Sequence, residues 1–170
     1  PHNVSWEAAG SLFVAGTTTY AAIRAVSLKR GDTLAVSGAA GGVGSIVVQL
    51  AVKEGAKVIG LASPTHHQWL TDHGVTPVAY GEGVEKRIRA ATDNQLDAFI
   101  DTFGADYVEL ALKLGVRPER IDTIINFEAV AKYGVKAEGN MQAANATVLA
   151  DLAQLIDQRK LEIPIARVYP

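Results

Sequence analysis

Between Ser37 and Ser45 the chain reads Ser37-Gly38-Ala39-Ala40-Gly41-Gly42-Val43-Gly44-Ser45, with four glycines and two alanines in nine residues. Side chains this small leave a backbone open to close approach. A helix beginning here would add unpaired N–H donors and the positive end of its dipole, which together suit a pyrophosphate. In a variant of the G-x-G-x-x-G pattern, Ala39 replaces the first glycine, Gly41 lets the backbone reach the phosphates, and Gly44 lets the helix pack closely. Ala40, Gly42 and Val43 complete the contact, the last two offering N–H groups at the helix start. No Lys-Ser or Lys-Thr pair follows, which disfavours a nucleoside-triphosphate loop. Taken alone, the cluster also reads as a tight strand-to-helix turn that binds nothing, so its setting has to decide.

The flanking segments supply that setting. Thr33 to Ser37 is short, β-prone and apolar, as a buried parallel strand is. Beyond the glycines, Val43, Ile46, Val47, Leu50 and Ala51 recur at helical spacing, ending near Glu54-Gly55. Before them, Ser5 to Leu28 suits a helical lead-in capped by Ser5 with Glu7 in its first turn; Gly10 and Gly16 are expected to divide it in two, and Gly31-Asp32 to turn the chain. After them come a strand at Lys57 to Leu61, a helix at Thr65 to His73, a strand at Thr76 to Ala79 and a helix at Val84 to Ala91. A strand at Leu96 to Ile100 and a helix at Asp106 to Leu114 follow, then a strand at Arg120 to Ile125. A weaker strand is expected at Gly134 to Ala137, and a last helix at Ala143 to Arg159. Alternation of this kind predicts a single α/β domain over residues 1–170, a Rossmann-type doubly wound parallel sheet with its ligand crevice where the strand order switches.

Composition narrows the partners. With 16 basic and 18 acidic residues the formal charge is −2, which gives no electrostatic case for nucleic acid or an anionic membrane. No apolar stretch approaches the ~20 residues of a membrane span. A small-molecule ligand is favoured by elimination. The absence of cysteine removes disulfides and thiolate metal sites and fits a reducing, cytoplasmic setting. A metal would need His and carboxylates, and His66-His67, adjacent on a helix, point apart, so no metal site is expected. The chain opens Pro1-His2-Asn3, unlike a signal peptide, and closes Val168-Tyr169-Pro170 without an initiator methionine, which reads as a piece of something longer.

Several stretches together resemble the zinc-independent quinone oxidoreductase branch of the medium-chain dehydrogenases and reductases. They are Glu7-Ala8-Ala9, Ala15-Gly16-Thr17-Thr18-Thr19-Tyr20, Gly31-Asp32-Thr33-Leu34, the Gly38 to Gly44 signature, Gln49-Leu50-Ala51, Asp101-Thr102-Phe103-Gly104 and Lys160-Leu161-Glu162-Ile163-Pro164-Ile165. The resemblance implies a cofactor domain whose partner, a chaperonin-10-like substrate domain, is absent from this chain, so that the isolated domain is expected to be inactive. It also implies that Thr18 lies near a nicotinamide, that Phe103-Gly104 line its ribose, and that Tyr80 stands beside the adenosine end. Each has a plainer alternative: Thr18 bonding within its helix, Asp101 to Gly104 as a strand-ending turn, Tyr80 as an ordinary strand-end aromatic. One departure from the family is Arg117-Pro118-Glu119-Arg120 with Ile125-Asn126-Phe127, where members usually carry glycine-containing strand ends, which puts the contacts near the nicotinamide at issue.

An NAD-specific site places Asp or Glu at the end of the second strand, to bond the ribose hydroxyls. Here no acid lies between Glu54 and Asp72, and the strand ends Gly60-Leu61-Ala62-Ser63 before Pro64-Thr65-His66-His67. Ser63, a candidate cap, and His67, near a position where the family often has Lys, offer a hydroxyl and an imidazole for a 2′-phosphate; exposed histidines touching nothing are the plain alternative. The expected cofactor is therefore NADP (NADPH). No residue reads as a general acid or base, and the hydride chemistry belongs to the cofactor.

These readings lead to the cofactor domain of an NADPH-dependent, zinc-free oxidoreductase acting on a quinone or conjugated carbonyl compound. Alternatives are an enoyl-reductase module of a fatty-acid or polyketide synthase, whose strand end also reads Ala-Ser-Pro, a non-catalytic NADPH sensor or structural module, and a site for another adenosine cofactor such as S-adenosylmethionine. A homodimer through the edge near residues 134–137 is also expected.

Overall fold

Strand β1, Thr33–Ser37, is buried along its whole length and forms the middle of a five-stranded parallel sheet. The computed structural model describes residues 3–168, so the terminal residues Pro1, His2, Tyr169 and Pro170 lie outside it. On one side of β1 lie β2 (Lys57–Ala62) and then β3 (Thr76–Ala79); on the other lie β4 (Ala98–Asp101) and β5 (Ile121–Thr123). The order β3-β2-β1-β4-β5, parallel throughout, is the Rossmann-type doubly wound arrangement that the alternation predicted.

The strands are apolar at nearly every position because both faces are covered. Leu34, Val36, Val58, Ala62, Ala98 and Ile100 pack with Val47, Val48 and Ala51 of helix α2 (Gly44–Lys53) and Leu70 of helix α3 (His67–Asp72). The alternate residues Ala35, Ile59, Leu61 and Phe99 pack with Ile88 of helix α4 (Val84–Ala91) and with Val108 and Ala111 of helix α5 (Tyr107–Lys113). Each Val, Leu, Ile or Phe so buried contributes roughly 1.5–3 kcal/mol of transfer free energy. At the opposite end of the sheet from the glycines, Arg120 is buried, pairs with Asp32 and donates to the Ser27 and Asp97 carbonyls.

Beyond shifts of a residue or more at element ends, such as β4 starting at Ala98 and the last helix spanning Ala146–Asp157, the structure departs from the sequence reading as follows. Residues Trp6–Ala25 form one uninterrupted helix, α1, capped by Ser5, whose Oγ accepts from Ala8 N–H. Gly16 does not break it: a Cβ there would stand 2.7 Å from Leu152 Cδ1, so the glycine admits helix α8 (Ala146–Asp157) to close contact. Packing of that kind outweighs the ~1 kcal/mol that a glycine costs within a helix. Strand β4 runs to Asp101 rather than ending at Ile100. Strand β5 is three residues long, since Pro118–Arg120 is a 3₁₀ turn and Ile124-Ile125 leave the ladder. Two helices went unanticipated: α6 (Phe127–Tyr133) and the single turn α7 (Asn140–Ala143). The expected strand at Gly134 to Ala137 is one isolated bridge, Lys136 to Asp122, with Gly134 itself spent on ending α6 at φ +71°. Among the described residues, no helix is long and apolar enough to cross a membrane.

Asp122, in the middle of β5, is completely buried. Its Oδ1 accepts from Glu138 N–H at 2.8 Å and its Oδ2 has no partner. Burial pushes its carboxyl up to about 7 from the usual carboxylate range, against the Glu138 hydrogen bond and with help from the Glu138 and Asp101 charges. A raised folded-state value means that the folded chain holds this proton more tightly than the unfolded one. Stability from this group is complete only below about pH 4, where the unfolded carboxyl is also protonated, and is lost progressively as pH rises from there through 7. We expect the stability gained by Asp122→Asn to be about 2–3 kcal/mol larger at pH 8 than at pH 5, by urea unfolding. An equal effect at both pH values would contradict this account.

Candidate functional site

At the carboxyl end of β1 the chain turns through Gly38, whose φ of +64° and whose neighbour Thr102, 2.6 Å from a would-be Cβ, both require glycine. Ala39 is buried and bonds across to the end of β2, its N–H donating to Leu61 O. Gly60 on β2 is small to admit it, since a Cβ there would lie 3.0 Å from that of Ala39 and 2.9 Å from Val75 Cγ1. Helix α2 then begins hard against the turn: a Cβ on Gly44 would come within 2.8 Å of Gly38 C and 2.9 Å of Ala39 Cα. Gly44 therefore serves close packing, as expected, though against the turn's own backbone.

Gly41 and Gly42 differ from these. Neither has positive φ. A Cβ on Gly42 would meet nothing within 4 Å, and one on Gly41 would meet only Gly38 O at 3.2 Å. Both are exposed. The helix start at Val43 has no side-chain cap, and the N–H groups of Gly42 and Val43 have no hydrogen-bond partner among the described residues. The turn is thus held by Gly38 and Gly44, leaving Gly41 and Gly42 bare beside unpaired donors at a helix N-terminus. Ala40 is half-buried beside them, against the core.

Asp101, which ends β4, was visible in the sequence only as part of a turn motif. Completely buried, its carboxylate accepts from Ser37 Oγ at 2.6 Å, Gly104 N–H at 2.9 Å, Phe103 N–H at 3.1 Å and Thr123 Oγ1 at 2.8 Å. The loop after β4 is therefore the strand-ending turn foreseen as the plain alternative, with Gly104 at φ +88°. It also borders the glycines: Thr102 Oγ1 donates to Ser37 O at 2.7 Å. Sequence reasoning assigned no role to Ser37, Asp101 or Thr102. A lone acid closing the apolar run Ala98-Phe99-Ile100 was the available signal.

Tyr80 follows the edge strand β3, yet its hydroxyl lies 3.1 Å from the Gly38 nitrogen and accepts that N–H. Its ring packs at 5.3 Å from Phe103 and 6.1 Å from Tyr107. Burial raises the phenol above its ordinary value, against the Gly38 hydrogen bond, so the phenol stays neutral with its own proton free to donate. Phe103, half-exposed, leans towards Tyr80, on the β2–β3 side of the turn. Ser63 stands at the cap position of a 3₁₀ turn but caps nothing; its hydroxyl pairs with Thr65 Oγ1 at 2.8 Å. His67 is held at the end of β2, where Nε2 lies 3.2 Å from Ala62 O. A carbonyl only accepts, so this nitrogen carries the proton, and the imidazole is neither free nor distant from the strand end.

Thr18 stands apart from this group. Thr17, not Thr18, bonds back within α1, and Thr18 has no hydrogen bond among the described residues. It lines a cleft of about 450 Å³ with Val43, Ile124, Gly139 and Gln142, whose rim carries the exposed Val14, Phe127 and Met141. Its neighbour Thr19, unremarked in the sequence, donates to Val43 O at 3.2 Å and ties α1 to the glycine turn. The structure thus sets Tyr80 on Gly38, at the start of the turn that carries Gly41, Gly42 and Val43, with Phe103 packed on Tyr80 and Gly104 next to it; Ser63 and His67 lie at the end of β2, and Thr18 shares a separate cleft with Val43.

Comparison with known proteins places this arrangement. Residues 42–117 match the family model described as zinc-binding dehydrogenase. Prostaglandin reductase 1 of Bos taurus is 34% identical over 111 residues, 62% of this chain and 33% of its own. YfmJ of Bacillus subtilis, whose name describes an NADP-dependent oxidoreductase, is 28% identical over 77% of this chain and 40% of its own. The quinone oxidoreductase of Coxiella burnetii superposes with a TM-score of 0.81 at 27% identity, covering 98% of this chain and 54% of that one. The chain is thus similar to medium-chain dehydrogenases and reductases, quinone oxidoreductases among them. It spans 33% to 40% of the length of these two sequence relatives.

The two classes of glycine make opposite predictions. Gly44→Ala, driven into the Gly38 backbone, is expected to cost about 2–3 kcal/mol or more. Gly42→Ala should change stability by less than ~0.5 kcal/mol. Parallel thermal melts check both, and a destabilised Gly42→Ala would show that this glycine serves the fold.

Proposed function

We propose that the chain is the NADPH-binding domain of a zinc-free oxidoreductase that reduces quinones or conjugated carbonyl compounds. The observation that carries this is the bare, uncapped start of α2, where Gly42 has no reason in the fold to be glycine and two N–H groups lack partners. Gly41, Gly42 and Val43 would hold the pyrophosphate, with Ala40 beside them and the free Tyr80 hydroxyl donating from above. Phe103 and Gly104 would line the crevice. Thr18, with an unengaged hydroxyl in the cleft beyond Val43, would face the nicotinamide end. When bound, the nicotinamide supplies hydride to an electrophilic carbon; the chain's part is to bind, orient and exclude water.

Preference for NADP rests on the acid-free end of β2. A carboxylate there would repel a 2′-phosphate, whereas Ser63, Thr65 and His67 present hydroxyls and an imidazole within two turns of chain. The name of YfmJ agrees. The metal-free reading rests on the likeness of the sequence motifs to the zinc-independent branch and on a chain without cysteine. A substrate-binding domain outside these residues, a cytoplasmic setting and a homodimer through the edge near residues 134–137, beside β5, complete the proposal.

Fluorescence titration of the chain with NADPH and NADH tests the cofactor reading. We expect NADPH to bind at least about tenfold more tightly, and His67→Ala to narrow that ratio by about threefold to tenfold. Equal or tighter NADH binding overturns the NADP assignment. Failure of either cofactor to bind a folded chain overturns the site itself.

A further inference from the structure

Arg87, on α4, serves no role in the site as described so far. Two residues on, Arg89 makes the expected helix-surface pair with Glu85. Arg87 instead turns its guanidinium into the loop after β3. Nε and Nη2 both donate to Ala79 O, at 3.2 and 2.9 Å; Nη2 also donates to Tyr80 O at 3.0 Å and Gly81 O at 3.3 Å, and Nη1 to Glu82 O at 2.8 Å. Four consecutive carbonyls converge on one half-buried planar cation. Besides Arg87, a Val84 N–H donated to Gly81 O at 3.1 Å ties the loop; Gly81 and Gly83 both sit at positive φ, and α4 begins at Gly83 without a side-chain cap. Glycines there leave the unfettered loop many conformations.

What this loop presents is Tyr80. β3 is separated from β1 by β2, so the phenol must reach across the end of β2 to accept the Gly38 N–H. Gly38 is gripped on its other side by Thr102, whose Oγ1 donates to Ser37 O and more weakly to Gly38 O. A tyrosine displaced by even an ångström would release the Gly38 N–H and the turn that follows.

We infer that Arg87 is a positioning residue for the glycine turn: by gathering the Ala79 to Glu82 carbonyls it sets Tyr80, and through Tyr80 the backbone that would receive a dinucleotide pyrophosphate. Its geometry stands alone; its consequence for binding rests on the function proposed above. Lysine is a poor substitute, since one ammonium cannot serve a planar fan of four acceptors as a guanidinium fork does.

Amide hydrogen exchange on the 170-residue chain reads the positioning without any ligand. Arg87→Met is expected to speed exchange at Gly38 about tenfold, the loss of one modest hydrogen bond, while Ala35 within β1 stays protected. Tyr80→Phe should reproduce that change, and adding Arg87→Met to it should do nothing more at Gly38. NADPH affinity should fall about tenfold in Arg87→Met and less in Arg87→Lys. Unchanged exchange at Gly38, or Gly38 and Ala35 accelerating together as in general destabilisation, overturns the inference. So does full additivity of the two substitutions. If the unaltered chain binds no NADPH, the cofactor reading falls and with it the binding consequence, while the exchange data still decide the positioning.

Discussion

The carboxylate of Asp101 is the contact on which the ligand-facing edge of the sheet depends. A buried anion is tolerable only when its oxygens are fully engaged, and each charge-assisted hydrogen bond is worth roughly 1.5–3 kcal/mol. Its four donors come from the end of β1, from the loop after β4 and from β5. Three strand ends are thereby fixed to one another just below the point where the chain turns into Gly38. Ser37, once engaged, also accepts Thr102 N–H at 3.0 Å, and Thr102 in turn restrains the carbonyls of Ser37 and Gly38. The relative placing of the β1 and β4 ends is therefore a consequence of how one acid is satisfied.

Upon that base the glycine turn divides its labour. Gly38 and Gly44 are determined internally, by positive φ and by the approach of α2 to the turn, so the fold alone accounts for them. Gly41 and Gly42 are not, and the donors beside them are unspent. Tyr80 on one side and Thr19 on the other hold the turn from segments distant in sequence, the loop after β3 and α1. The site is rigid where it is built and bare where it would be used, which is the arrangement that pre-organised binding requires.

Much of this was legible in the sequence because it is local. The strands around Val36, Ile59 and Phe99 announce themselves by unbroken apolar runs, and α2 by its 3.6-residue stripe. The misreadings have two causes, packing between distant segments at Gly16 and a local capping signal taken for a strand start at Gly134. Gly16 marked a break by propensity, but it meets Leu152, more than a hundred residues away, and is kept in α1 by that contact. Gly134 marked the start of a strand but is the left-handed end of α6. That helix carried its own signals in Asn126 and Gly134, which cap its two ends, and they were outweighed by the apolar residues on either side. Arg87 left no trace at all: an arginine on a charged helix face reads as solvated, and only the fold shows four carbonyls converging on it.

Asp101 and Asp122 show how position in a strand decides the fate of a buried acid. Asp101 sits at the carboxyl end of β4, where the N–H groups of Phe103 and Gly104 have left the ladder and two hydroxyls stand within reach. Asp122 sits one strand over and in the middle of β5, where the neighbouring N–H groups of Thr123 and Lys136 are already spent on sheet carbonyls. Only Glu138 N–H remains for it, and Oδ2 is left alone. The Asp101 charge adds to its difficulty. Two carboxyls with the same intrinsic chemistry thus meet different fates: the one at the strand end has its oxygens engaged by the turn it organises, and burial raises the one inside the ladder because the sheet has no further donor to offer it.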